Sequence, residues 1–99
     1  MNLQSLMKQA QSMQNKLMSA KEEIDKKHFT GKAELVEVVM NGKKKVISIK
    51  IDENADLEKD DLEILQDMIA LAINDAVDKI DKEINDKLGS QAGNLSSFM

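Results

Sequence analysis

The stretch LVEVVMNGKKKVISIKID, residues 35–52, decides the fold. On both sides of Asn41-Gly42, apolar residues recur at every second position. Alternation with period two is typical of strands with one buried face, and Asn-Gly between two such runs favours a hairpin turn. We therefore predict an antiparallel hairpin, and Gly31 separates off a possible short third strand at 29–33. The alternating residues are Val36, Val38 and Met40 before the turn and Ile47, Ile49 and Ile51 after it.

A heptad seam precedes the hairpin. Its apolar residues are spaced alternately by three and four positions, and no Gly or Pro occurs before Gly31. This spacing predicts an amphipathic helix over residues 2–26. A seam of this kind usually packs into a core, and less often it forms a binding groove. The seam consists of Leu3, Leu6, Ala10, Met13, Leu17, Ala20 and Ile24.

A second long helix follows the hairpin. The acidic segment 52–61 leads into it, and Asp60 with Glu63 forms an aspartate version of the capping box. Gly89 is expected to end the helix, and residues 89–99, small and polar, are expected to form a flexible tail. The apolar stripe of this helix is broader than a small sheet can cover. It comprises Leu62, Leu65, Ile69, Ala72, Ala76 and Ile80, flanked by Ile73, Val77, Ile84 and Leu88.

Ninety-nine residues suit one domain, 1–99. We predict an α+β fold with a long N-terminal helix, an antiparallel sheet of two or three strands and a long C-terminal helix. Because both helices and the sheet carry surplus apolar surface, a twofold homodimer is expected. Its interface is predicted on the second helix at Leu65, Ile69, Ala72, Ile73, Ala76, Val77 and Ile80.

The chain lacks most of the side chains from which catalytic and metal sites are built. It has no Cys, no Arg, a single His at position 28 and no glycine-rich phosphate loop. The acids of 52–61 lack the spacing of a calcium loop, so they are expected to form a solvated acidic segment. We therefore predict that the protein is not an enzyme and has no catalytic residues, no metal, no cofactor and no small-molecule substrate.

Charge is unevenly distributed along the chain. The net charge of −4 divides into +5 over residues 1–50 and −9 over residues 51–99. Residues 1–21 hold three Lys and no acid, and 43–45 are three consecutive Lys, whereas lysines of the second helix follow acids at i,i+4. The unmatched lysines are candidates for contacts with a phosphate backbone. No apolar run is long enough to cross a bilayer, and the absence of Cys fits the cytoplasm.

Three stretches together resemble the YbaB/EbfC family of nucleoid-associated proteins. They are 6–14 (LMKQAQSMQ), the hairpin 35–52, and 65–76, which contains the triplet Asn74-Asp75-Ala76. The resemblance covers nearly the whole chain. It implies an intertwined, tweezers-like bacterial homodimer that binds duplex DNA in the nucleoid and influences nucleoid organisation and gene expression. It also implies that basic residues of both terminal helices meet DNA.

The expected DNA contacts combine these two arguments. They are Lys8, Lys16, Lys21, Lys26 and Lys27 in the first helix, Lys43, Lys44 and Lys45 in the hairpin, and Lys79, Lys82 and Lys87 in the second helix. Because the chain has no Arg and no aromatic residues suited to stacking on bases, it is expected to contact the DNA phosphate backbone with little sequence preference. The alternative is a protein-interaction module that grips a partner through the first-helix seam, with DNA contact incidental.

Overall fold

The computed structural model describes residues 2–89 as helix, three strands and helix. The elements are α1 (Leu3–Lys26), β1 (His28–Ala33), β2 (Val36–Asn41), β3 (Val46–Ile51), a 3-10 turn (Lys59–Asp61) and α2 (Leu62–Leu88). The predicted α+β fold is confirmed, and the sheet has the third strand. The segment expected to be a flexible tail lies, from residue 90 onward, outside the described residues.

The helix ends follow ordinary capping chemistry. The side-chain oxygen of Asn2 accepts a hydrogen bond from the Gln4 backbone N–H at 3.0 Å, which fixes the start of α1. Gly89 ends α2 with a positive φ of 64°, as expected. The predicted cap of α2 at Asp60 is wrong. The Asp61 carboxylate instead accepts from the Glu58 N–H at 2.9 Å, because a 3-10 turn precedes the α-helix.

The sheet is antiparallel, with the strand order β1-β2-β3. The hairpin loop between β2 and β3 comprises residues 42–45. The Asn41 side chain accepts hydrogen bonds from the backbone N–H groups of Lys43 and Lys45, at 2.9 and 3.1 Å, and Lys44 takes a φ of 65°. Asn-Gly therefore marks the hairpin, but Lys44 rather than Gly42 adopts the left-handed conformation.

The core lies between α2 and one face of β1 and β2. Gly31 permits this close packing, since a Cβ there would lie 2.0 Å from the carbonyl oxygen of Ala72. Neither helix covers β3, which contacts β2 alone among the described elements. The core residues are Ile24, Phe29, Val36, Val38, Met40, Ala72, Ala76 and Ile80.

The first helix projects from this body as an arm. The molecule is 71 Å long and less than 20 Å across, and α1 contacts only α2 and β2. Ile24 is the one buried residue of α1, whereas Leu3 and Leu6 are 71% and 44% exposed. Within the protomer, therefore, the heptad seam is not core, apart from its last residue.

Candidate nucleic-acid interface

The arm carries a polar face opposite its apolar seam. Lys8, Ser12, Asn15 and Ser19 recur at spacings of four, three and four, and so share one side of α1, with Lys16 beside them. The separation of eight positions between the two lysines corresponds to about 12 Å along the helix axis. Neither ammonium group forms an ion pair within residues 2–89. Over residues 8–19 this face therefore presents two available cations among uncharged hydrogen-bonding side chains, which suits phosphate oxygens, and Glu23 lies at its C-terminal end.

Lys21, the third lysine expected on this helix, lies on the seam side. Its Nζ is 3.3 Å from the Asp25 Oδ2, one helical turn further on. An exposed pair of this kind contributes little to stability, but it compensates the positive charge. Of the five lysines expected to contact DNA from the first helix, the polar face of the arm therefore holds two, Lys8 and Lys16.

A second group of lysines meets where the hairpin loop docks on the end of α1. The Gly42 N–H donates to the Asp25 carbonyl oxygen at 3.2 Å, which fixes the loop against the helix. Lys26, Lys43 and Lys45 line the resulting concave surface without an ion pair in the described structure. The remaining lining residues are Glu22, Asp25, His28, Asn41 and Ile47. Lys44 turns away from this surface and pairs with Asp81 at 2.9 Å.

Two of the expected DNA contacts instead join α2 to β1. Lys79 lies 3.1 Å from the Asp75 carboxylate, as its i,i+4 spacing predicts, and also donates to the Thr30 carbonyl oxygen at 2.7 Å. Lys27 pairs with Glu83 and lies over the Phe29 ring, 5.6 Å from its centroid. These ammonium groups are therefore already engaged within the protomer.

The same contacts shift the pKa values of two carboxyl groups, those of Asp75 and Glu83. The backbone N–H of Lys32, at 3.0 Å, and then the Lys79 ammonium hold the pKa of Asp75 below its ordinary value. The hydrogen bond from Lys27 lowers the pKa of Glu83. Both carboxylates therefore stay ionised at neutral pH and retain their lysine partners.

The last two expected lysines, Lys82 and Lys87, lie exposed near the end of α2. The pairs predicted from sequence, Asp78 with Lys82 and Glu83 with Lys87, do not form in the described part of the chain. Glu83 is engaged by Lys27 instead, although Lys87 still contributes to lowering the pKa of Glu83. Both ammonium groups are therefore available to an external anion.

The acidic residues lie apart from these cations. Residues 52–67 hold eight acids and one lysine, around the start of α2. In the described part of the chain, no three His, Asp or Glu side chains are grouped closely enough to hold a metal ion. No helix within residues 2–89 is long and apolar enough to span a membrane.

The residues predicted for the dimer interface divide into two groups. Ala72, Ala76 and Ile80 are completely buried in the core of the protomer itself. The others, Leu65, Ile69, Ile73 and Val77, are half-buried and remain partly accessible. The predicted interface is thus only partly open to a second chain.

The sequence predicted surplus apolar surface on the sheet, but it did not place that surface on β3. Val46, Ile47 and Ile49 are 46%, 49% and 47% exposed, because no helix covers this strand. A signal was present in the sequence: the adjacent apolar residues Val46 and Ile47 break the alternation, and in the structure Ile47 is an extra residue between the pairs Met40 with Val46 and Val39 with Ser48.

Comparison with known proteins identifies the family. The model of the YbaB/EbfC DNA-binding family matches residues 1–95. The chain belongs to this family. Nucleoid-associated proteins from Streptococcus pneumoniae strains TIGR4 and CGSP14 are each 40% identical over 97 residues, covering 96% of this chain and 97% of theirs. The resemblance inferred from the three sequence stretches is confirmed.

The YbaB/EbfC fold is also present in a solved structure. The crystal structure of an uncharacterized protein from Helicobacter pylori superposes with a TM-score of 0.70. The match covers 87% of this chain and 91% of that chain, at 20% sequence identity. At this identity the likeness establishes the fold.

Proposed function

We propose that this YbaB/EbfC protein is a homodimeric nucleoid-associated protein that binds duplex DNA through its phosphate backbone, in the bacterial cytoplasm. Its binding influences nucleoid organisation and gene expression. Family membership supports DNA as the partner, and the relatives carry the name nucleoid-associated protein. The observation that carries the mechanism is the separation of charge: unpaired lysines lie on the arm and at the hairpin loop, away from the acids of 52–67.

The same residues argue for weak sequence preference. Bidentate recognition of guanine typically uses Arg, and stacking on bases uses aromatic rings; this chain has no Arg, Trp or Tyr. Lysines and hydroxyl or amide side chains contact phosphates equally well on any sequence. Lys8 and Lys16 hold the arm against the phosphate backbone of the DNA. Lys26, Lys43 and Lys45 form a second contact with it.

A salt titration with a random-sequence duplex tests the proposal. The logarithm of the binding constant should fall by about 0.9 for each logarithmic unit of salt per phosphate neutralised. Replacing Lys8→Gln and Lys16→Gln together should weaken binding and reduce this slope by about 2. The matched control is Lys32→Gln with Lys59→Gln, which removes the same charge outside the two lysine groups. A salt-independent affinity, or an equal loss in both double variants, would contradict the mechanism.

The exposed seam favours a second candidate function. A protein-interaction module would hold a partner helix against Leu3, Leu6 and the rest of the apolar side of α1, with DNA contact incidental. In that case the Lys8 and Lys16 double variant would retain the partner, and its DNA affinity would match that of the control variant. The titration therefore also separates the two functions.

A further inference from the structure

Exposed apolar side chains lie at both ends of the molecule, in segments of opposite net charge. At one end, residues 1–21 of the arm hold three Lys and no acid, and Leu3, Leu6 and Met7 are 71%, 44% and 65% exposed. At the other, residues 52–67 carry eight acids and one Lys. Around the start of α2, Leu62, Ile64 and Leu71 are 51%, 55% and 61% exposed.

The exposed residues at the second end form a short stripe. Ile64 and Leu71 form this stripe: they are seven positions apart and so share one side of α2, whereas the half-buried Met68 between them packs against the core. Ala72 and Ala76, which face Gly31, lie on a different side of the helix, turned to the sheet. The stripe is therefore not used by the core, and its spacing matches what an apolar helix seam requires of a partner helix.

These two ends do not meet within one chain. The helix α1 contacts α2 only where the ends of both helices meet, around Ile24, Ile84 and Leu88. The 3-10 turn within the acidic segment contacts only α2 among the described elements. With the arm projecting from one end of a molecule 71 Å long, its seam can reach the acidic end only of another copy.

We infer that the apolar seam of the arm packs against the acidic start of α2 in a second copy of this chain. Apolar contact supplies the binding energy, and the opposite net charges of the two ends favour this pairing over arm with arm, which would bring two positively charged segments together. The polar face with Lys8 lies on the other side of α1, so it stays accessible when the seam is covered. This contact is separate from DNA binding.

Disulfide trapping between two chain variants tests the pairing. The chain has no cysteine, so single cysteines can be placed freely. A tagged Leu6→Cys chain is mixed with an untagged Leu71→Cys chain and oxidised, and the tag distinguishes the mixed dimer by mass. The control is Ser5→Cys, a neighbouring exposed residue on the other side of α1. All three positions are exposed, and circular dichroism confirms that each variant keeps its helices.

The expected result is a mixed product several-fold more abundant with Leu6→Cys than with Ser5→Cys. Its yield should fall between about 50 mM and about 500 mM NaCl, because salt screens the attraction between the two ends. Equal yields from Leu6→Cys and Ser5→Cys, no mixed product, or a larger Leu6-to-Leu6 product would overturn the inference. None of these results alters the DNA titration, so the two proposals fail independently.

Discussion

The backbone of Gly42 lies directly against the last turn of α1, at Ile24. A Cβ added at Gly42 would lie 1.9 Å from the Ile24 carbonyl oxygen and 2.8 Å from the Asp25 nitrogen. The adjoining hydrogen bond from the Gly42 N–H to the Asp25 carbonyl oxygen completes the contact. This contact sets the position of the arm relative to the sheet and brings Lys43 and Lys45 beside Lys26.

Gly42→Ala should therefore destabilise the protein. The new methyl group would overlap backbone atoms, which cannot rotate away, so the free energy of unfolding should fall by about 1–3 kcal/mol. Urea denaturation followed by circular dichroism measures the loss. Lys43→Ala, at the exposed neighbouring position, is the control and should change stability by less than about 0.5 kcal/mol. Equal stability of the two variants would show that the loop does not dock on α1.

Glu34→Gly should stabilise the protein. Glu34 occupies the turn between β1 and β2 with a φ of 49°, where a residue with a Cβ is strained and Gly is not. Relief of strain outweighs the added freedom of the unfolded chain, so the free energy of unfolding should rise by about 0.5–1 kcal/mol. Glu37→Gly, in the middle of β2, should lower it. A lower free energy of unfolding in both variants would contradict the left-handed conformation of Glu34.

The free energy of unfolding should fall in acid, because Asp75 and Glu83 become protonated and lose their contacts with lysine residues. Their folded pKa values lie below the ordinary values of 3.8 and 4.5, so they stabilise the fold above those pH values. The contribution is lost as pH drops further, through the folded pKa values. The urea midpoint should therefore decline below about pH 4.5. Asp75→Asn should make this decline shallower.

The control for this pH dependence is Asp78→Asn. Asp78 lies on the same helix and forms no ion pair within residues 2–89. Its removal should leave the slope of the urea midpoint against pH close to that of the unaltered protein. A shallower slope in both variants would assign the effect to the overall charge of α2 rather than to the contacts of Asp75 with Lys32 and Lys79.

Local patterns in the sequence were enough to predict the elements. The heptad seam, the alternation on either side of Asn41-Gly42 and the stop at Gly89 each depend on neighbours within a few residues. Contacts between distant residues were beyond such patterns. The role of Gly42 depends on Ile24, and the cap at Asp61 required knowing that a 3-10 turn precedes α2.

The candidate site shows the same division. Charge counts located the unpaired Lys8 and Lys16, because acids are absent from that part of the chain. They did not separate Lys44 from Lys43 and Lys45, since its partner Asp81 comes from the far helix. Lys27 and Glu83 likewise meet only in the folded chain. Sequence spacing finds i,i+4 pairs, and tertiary ion pairs require the packing of α2 on β1.

Ile49→Asp should dissociate the proposed homodimer. Ile49 pairs with Val38, whose side chain is completely buried, so it extends the core face of the sheet; yet it is 47% exposed because no helix lies over β3. A second chain that covers this strand, together with half-buried Ile73 and Val77 of α2, would complete the core. A carboxylate buried there without a partner opposes association strongly.

Sedimentation equilibrium measures the outcome. In about 500 mM NaCl, which screens the attraction inferred between the arm and the start of α2, the unaltered protein should have the mass of two chains and Ile49→Asp that of one. Helical content should be retained because Ile49 is 47% exposed in the protomer. Ser48→Asp introduces the same charge on the opposite face of β3, beside Val39, and should remain dimeric. If Ile49→Asp keeps the mass of two chains, the exposed core face of β3 is not the dimer contact, and the surplus apolar surface of the sheet must be covered in another way.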